Sequence, residues 1–259
     1  FPGPWGTAAS PIILDDMVIQ NCDAQGDSCV IAVNKHDGET IWQTSRGQMP
    51  RGGWSTPILI NAGSRKELVL NGERGVTGYD PATGKQLWFC RGFNGRGTPS
   101  PVFDGKLLYI VTAKPGDTFA LRPGGSGDVT DSHMVWHTPR DGGRNLSSPA
   151  LVGKYLLTVP MSGIATCYDS STGEHVWTER LDGRFTASPV VAGGLLYIQN
   201  EAGQTLVIRP GQELDIVARN DLGPVDGEIF RSSPAVSEGQ IFFRSDRALY
   251  CVGRVPSKD

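Results

Sequence analysis

A Ser-Pro or Thr-Pro step returns six times along the chain, each time followed by an apolar, strand-like run. The copies are Ser10-Pro11, Thr56-Pro57, Ser100-Pro101, Ser148-Pro149, Ser188-Pro189 and Ser233-Pro234. Their prolines stand 46, 44, 48, 40 and 45 residues apart. Self-similarity at this period implies an array of equal supersecondary units, each burying its apolar face against its neighbours. That constrains the fold before any single residue is given a role.

The fourth copy shows the unit most plainly. After Ser148-Pro149 come Ala150–Val152, Tyr155–Val159, Gly163–Asp169 and then Thr172-Gly173 ahead of Trp177. Short apolar runs between glycine-bearing turns read as antiparallel strands, with proline tolerated at the first position of an entering strand. The segment Asp169-x-x-Thr172-Gly173-x-x-x-Trp177 is a hairpin followed by an aromatic outer strand. It recurs as Asp80-x-x-Thr83-Gly84-x-x-x-Trp88, and in degenerate form from Asn34 to Trp42. The third unit reaches Trp136 after a longer insertion, and the fifth has lost its tryptophan.

Four strands per unit of about 45 residues is the arrangement of a propeller blade. The expected fold class is therefore all-β, a β-propeller of four-stranded antiparallel blades. One domain spans residues 1–259, with units starting near residues 10, 56, 100, 148, 188 and 233. Trp42, Trp88, Trp136 and Trp177 are expected to pack one blade against the next. The sixth unit, Ser233 to Val252, lacks an outer strand, and Phe1 to Ala9 is short and proline-bearing. The six units are thus expected to belong to a seven- or eight-bladed ring, a closed six-bladed ring being the alternative.

These residues resemble the pyrroloquinoline-quinone-like propeller repeat, marked by Asp-x-x-Thr-Gly-Lys-x-x-Trp after a Ser-Pro strand. The resemblance covers essentially the whole chain and is nearest to non-enzymatic bacterial members, such as the propeller lipoprotein of outer-membrane assembly. It implies a scaffold in a periplasmic or secreted setting with a protein partner. The alternative it brings is a quinone-dependent oxidoreductase holding the quinone with Ca²⁺ through acidic and amide ligands. No adjacent cysteine pair or acidic ligand set stands out here, and Asp80 and Asp169 belong to hairpin turns. No catalytic residue and no metal ligand can be named, and His133 and His137 flank a strand entry.

A net charge of −3 without any long Lys/Arg run speaks against a nucleic-acid partner. No apolar stretch has the length of a membrane helix. No signal peptide opens the chain, and Phe1-Pro2-Gly3-Pro4-Trp5 reads as an interior or processed start. Among five cysteines, Cys22 and Cys29 flank a polar, glycine-containing stretch. A disulfide between them is one reading, two independent thiols the other. Cys90, Cys167 and Cys251 lie in strand-like runs.

One further pattern precedes the anchors. Arg51, Arg96, Arg144, Arg184 and Arg231 stand three to six residues before their prolines. In a propeller these loops open on one face of the central channel. An arginine-lined funnel there would bind a small anionic group or glycan through forked contacts. The competing reading pairs these arginines with Asp141, Asp182, Asp226 and Glu228. Trp54, Phe185 and Phe230 in the same loops form either an apolar collar or a plug.

Overall fold

The computed structural model describes residues 6–49, 52–92, 96–114, 116–139, 144–223 and 225–253. Its backbone divides into two compact units, Phe1–Asn145 and Leu146–Asp259, with the division falling between the third and fourth anchors. Each unit carries three antiparallel meanders.

In the first unit, one sheet holds β1 (Ile12–Leu14), β2 (Met17–Asn21), β3 (Gly26–Asn34) and β4 (Thr40–Met49). The next holds β5 (Ile58–Ala62), β6 (Arg65–Asn71), β7 (Gly75–Tyr79) and β8 (Gln86–Arg91). The third starts with β9 (Val102–Phe103), β10 (Leu108–Val111) and β11 (Thr118–Leu121). A long connection follows, containing β12 (Gly127–Asp128) and one helical turn, α1 (Thr130–His133), before β13 (Met134–Thr138) closes the sheet. The sequence reads this connection as an insertion only. The structure shows β12 pairing parallel to the outer edge of β8, so the second sheet has five strands rather than four. The insertion of one blade thereby covers the edge of its neighbour, a common protection for an open strand.

The second unit contains β14 (Ala150–Val152), β15 (Tyr155–Thr158), β16 (Ile164–Asp169) and β17 (His175–Arg180). Its next sheet contains β18 (Val190–Ala192), β19 (Leu195–Gln199), β20 (Gln204–Arg209) and β21 (Asp215–Asp221). The last has three strands among the described residues: β22 (Ala235–Ser237), β23 (Gln240–Arg244) and β24 (Leu249–Val252).

The recurring Ser/Thr-Pro step now has a physical reason. The residue before each proline has its N–H outside the sheet ladder, and that donor needs an acceptor. At four of the anchors it finds one in the hydroxyl of the next anchor. In the first unit Ser10 N–H donates to Thr56 Oγ1 at 3.2 Å and Thr56 N–H to Ser100 Oγ at 3.1 Å. In the second, Ser148 N–H donates to Ser188 Oγ and Ser188 N–H to Ser233 Oγ, both at 2.9 Å. A hydroxyl both caps one blade and binds the one before it, which alanine at the same place could not do.

The outer tryptophans follow an equally simple rule. Each stands opposite a small residue on the third strand: Trp42 on Ala32, Trp88 on Gly78, Trp136 on Ala120 and Trp177 on Cys167. A register shift follows immediately after that position in every case. A Cβ on Gly78 would sit 2.1 Å from the Trp88 ring, so glycine there is a packing requirement. In the fifth sheet the sizes reverse, and Val207 faces Ala218. Trp42 Nε1 donates to Pro81 O and Trp177 Nε1 to Gly211 O, each in the hairpin of the following blade. Trp88 Nε1 instead donates to the buried carboxylate of Glu67 at 2.8 Å. Trp136 lies against the Tyr109 ring, with centroids 6.3 Å apart. The hairpins themselves need φ > 0 at Gly84 and Gly173, where glycine alone is unstrained.

Candidate functional site

The loops that enter the first strands are clamped by a repeated pair of backbone bonds. At Pro101, Pro189 and Pro234 the residue five before the proline accepts, through its carbonyl, the N–H of the residue twelve after it. Ala113 N–H donates to Arg96 O, Glu201 N–H to Arg184 O, and Asp246 N–H to Ile229 O. The residue four before the proline donates in turn to the preceding blade: Asn145 to Ala113 O, Phe185 to Met161 O and Phe230 to Glu201 O. A side chain five before one proline is therefore held beside the side chain twelve after it.

In the second unit this places Arg184 beside Glu201. Arg184 Nε lies 3.2 Å from Glu201 Oε1, and Arg231 Nε reaches the same oxygen at 3.8 Å. The two arginine side chains are 62% and 64% exposed, the carboxylate only 16%. Two guanidiniums thus share one carboxylate and leave a surplus positive charge facing water. Their partner is neither Asp182 nor Asp226 nor Glu228, as the sequence suggests. Glu228 is held by Ser245 Oγ, by Tyr250 Oη at 2.8 and 2.9 Å, and by Val225 N–H. Those three hold its carboxyl below the usual range, the Ser245 hydroxyl foremost. Glu201 lies in the turn between β19 and β20, 17 residues from Arg184 and outside the loop that carries it. The recurring five-before, twelve-after spacing is the signal that finds it.

In the first unit the corresponding arginine meets an aromatic face. Arg96 has Ala113 as its clamped neighbour and stacks over the Trp54 ring, 5.6 Å from its centroid. Trp54 Nε1 donates to Gly6 O at 2.9 Å. Arg144 is exposed. Arg51 and Asp141 lie outside the described residues. Phe185 and Phe230, by contrast, are fully buried and belong to the packing of the second unit.

A second charged cluster, unforeseen from the sequence, is buried in the first unit. Asp23 stands in the turn between β2 and β3 and is fully buried. Arg46 Nε donates to its Oδ1 at 2.7 Å, and Arg46 Nη1 reaches Tyr79 Oη. The guanidinium is itself 4% exposed. Asp23 Oδ2 is buried without a hydrogen-bond partner. Burial pushes this carboxyl above the usual range, although Arg46 pulls it the other way. Arg46, Tyr79, Arg74, Gln86 and Phe89 line a cleft of about 280 Å³.

The remaining candidates fall into structural roles. Asp80 Oδ1 accepts the N–H groups of Ala82 and Thr83, and Asp169 Oδ1 that of Ser171, so both carboxylates cap their own turns. His137 lies 3.1 Å from Asp117, while His133 contacts the Ser132 hydroxyl. Among the described residues no group of three or more His, Cys, Asp or Glu side chains is placed to hold a metal ion. Cys22 and Cys29 face each other at the end of one hairpin with no S–S bond drawn between them in the structure, Cys22 N–H donating to Cys29 O at 2.8 Å. Cys90 and Cys167 are buried, whereas Cys251 is exposed on β24.

That last strand is unusual. Beyond β24 the described residues supply no fourth strand, and its Leu249 is 70% and Val252 47% exposed. Among the described residues β24 is the last strand of its sheet, and it carries exposed apolar side chains.

Comparison with known proteins agrees with this architecture. A family model described as outer membrane protein assembly factor BamB matches residues 4–91 and 126–216. A BamB of Alkalilimnicola ehrlichii is 23% identical over 212 residues, covering 78% of this chain. The chain spans about half, 51%, of that relative's length. The crystal structure of BamB from Moraxella catarrhalis superposes with a TM-score of 0.55 at 14% identity, covering 97% of this chain and 84% of the other. The computationally designed protein Ika8 superposes at 0.57 with 11% identity, covering 97% and 85%. At such low identity these structures speak for the fold alone, and the fold is a β-propeller. With well over half of its length matched by the family model, the chain belongs to the BamB family of pyrroloquinoline-quinone-like propeller repeats.

Proposed function

We propose that this chain is a non-catalytic propeller scaffold of outer-membrane protein assembly, acting on the periplasmic side by binding a protein partner. Family membership supplies the setting. Among the described residues no helix is long and apolar enough to cross a membrane. The observation that carries the binding role is the exposed apolar surface of the last sheet, where Val236 is 43%, Leu249 70% and Val252 47% exposed. Exposed apolar side chains on a strand are an aggregation hazard unless something covers them. An extended segment of a partner laid along this sheet would bury these side chains.

Photo-crosslinking from position 249 in the bacterial envelope tests this. A crosslink to another protein of the assembly machinery is expected. Leu249→Asp should weaken capture of that protein about tenfold, or ~1.4 kcal/mol. A crosslink running only to the same polypeptide would assign the edge to ring closure and remove the docking role. Binding of pyrroloquinoline quinone with Ca²⁺, seen as a bound-quinone absorbance, would replace the scaffold by the oxidoreductase reading.

A second reading has its own observation. Arg184 and Arg231 share Glu201 and keep most of their surface open, an arrangement suited to a small anion or an acidic glycan. Calorimetry with sulfate and with a uronic acid, repeated on the Arg184→Ala, Arg231→Ala double variant, separates the two. Unchanged heats in the variant dismiss the arginines as a binding site.

A further inference from the structure

We propose that Cys22 and Cys29 form an intramolecular disulfide that staples the turn presenting Asp23 to Arg46. The two residues face each other one step beyond the Asn21–Val30 pair of β2 and β3, and Cys22 N–H donates to Cys29 O at 2.8 Å. Hydrogen-bonded partners on antiparallel strands have Cα atoms about 5.5 Å apart, within the separation that a disulfide spans. Side chains of opposed residues project from the same face of the sheet, and each of these thiols perturbs the ionisation of the other. Both residues are partly buried, which leaves them within reach of an oxidant. The buried Cys90 and Cys167 have no such partner across the strand, since Cys90 faces Val76 and Cys167 faces Trp177.

The chemistry is thiol–disulfide exchange. One sulfur, as its thiolate, attacks the disulfide of an oxidant such as oxidised glutathione or a protein dithiol oxidant. The second sulfur then displaces the reduced carrier from the mixed disulfide. Two S–H bonds are lost and one S–S bond forms. The oxidant accepts two electrons and leaves with two protons as thiols. Burial pushes the Cys22 thiol up to about 11 and raises that of Cys29 as well. A sulfur so reluctant to become thiolate is a poor leaving group, so the bond resists reduction once made.

The bond would do structural work at a charged place. Asp23 N–H donates to Asn21 Oδ1 at 2.9 Å, and Ser28 Oγ accepts from Ala24 N–H, so the turn is already braced at both ends. The following loop lies directly on it. A Cβ on Gly52 would meet the Ala24 backbone at 3.3 Å, and one on Gly53 the Asp23 carboxylate at 3.1 Å. Pinning Cys22 to Cys29 fixes the wall on which that loop rests. In the cell the bond depends on the periplasmic placement proposed above, whereas its formation in solution does not.

The test uses the full chain carrying Cys251→Ser, which removes the exposed thiol. The protein is equilibrated with oxidised glutathione, denatured, alkylated and mapped without reduction. The peptide containing both Cys22 and Cys29 should be unalkylated and lighter by two hydrogens, while Cys90 and Cys167 are alkylated. Reduction should lower Tm by about 5 °C, and that response should vanish in Cys22→Ser, Cys29→Ser. Alkylation of both Cys22 and Cys29 after oxidation overturns the proposal, as does a Tm response that persists in the double variant. Alkylation trapping in living cells separates the two premises. A bond that forms in solution but is absent in the cell refutes the periplasmic placement and leaves the disulfide standing.

Discussion

Asp23 and Glu201 occupy the same repeat position, twelve residues after Pro11 and Pro189. Both are carboxylates that meet arginine, yet they end in opposite environments. Asp23 is fully buried with Arg46, whose side chain is 4% exposed. Glu201 stands at the surface between two arginines that are more than 60% exposed. The difference teaches that a repeat fixes where a side chain is placed but not what its charge does there. In the first case an ion pair is a packing element, inseparable from the fold. In the second it is a surface feature with charge to spare.

The largest expected effect breaks the buried pair. Arg46→Ala strands the Asp23 carboxylate, one of whose oxygens already has no hydrogen-bond partner. Removing one partner of a buried pair typically destabilises by about 3–5 kcal/mol. Asp23→Leu with Arg46→Met removes both charges and should recover most of that loss. Denaturant midpoints at unchanged m-value measure both. A loss below about 1 kcal/mol for Arg46→Ala would place it with surface pairs and erase the contrast.

A third carboxylate sharpens the comparison because its partners carry no charge. Glu228 is held by the hydroxyls of Ser245 and Tyr250 and by a backbone N–H, and its carboxyl is held low. Tyr250 is pushed up, chiefly by its hydrogen bond to Glu228. A lowered carboxyl contributes stability that is present above the ordinary glutamate range and is lost as pH falls through the folded value. A raised phenol contributes stability that is present below the ordinary tyrosine range and is lost as pH rises through its folded value. Unfolding of the wild type should therefore show a plateau between these limits. Tyr250→Phe should lower that plateau and shrink the acid-side loss, as read from Tm against pH. Identical acid limbs in both proteins would show that Tyr250 does not hold Glu228.

Much of the fold was legible because its causes are local. The Ser/Thr-Pro anchors mark each first strand, and the Thr-Gly hairpins mark the last strands of the second and fourth blades. The tryptophans stand opposite Ala32, Gly78, Ala120 and Cys167 at one fixed register. Even the missing fifth tryptophan was visible, though its compensation by Val207 was not, since that requires knowing which residues pair. The rest is non-local. Arg46 lies 23 residues beyond Asp23, and Tyr79 a further 33, so no motif joins them. The parallel pairing of β12 with β8 likewise depends on two blades meeting. Of the candidate site, the arginines were found by their spacing. Their partner is not legible there, because Glu201 lies in a turn 17 residues from Arg184 while Asp182 and Asp226 stand closer in sequence to Arg184 and Arg231.

The smallest effect is expected at the exposed pair. Arg184→Ala leaves Glu201 with Arg231, and both groups retain contact with water or with each other. Exposed pairs typically contribute about 0.2–1 kcal/mol, so the change in stability should stay within that range. It should also shrink with salt, because charges at the surface are screened over about 8 Å at physiological ionic strength. Parallel salt titrations of Arg184→Ala and Arg46→Ala make the contrast quantitative. The first should converge on the wild type as salt rises, while the second stays displaced, since its stranded charge lies beyond the reach of mobile ions. The clamp itself is backbone, Glu201 N–H to Arg184 O, and survives the substitution. A loss of several kcal/mol for Arg184→Ala would mean that the side chain, rather than this backbone bond, positions the loop. The two pairs would then be variants of one structural device.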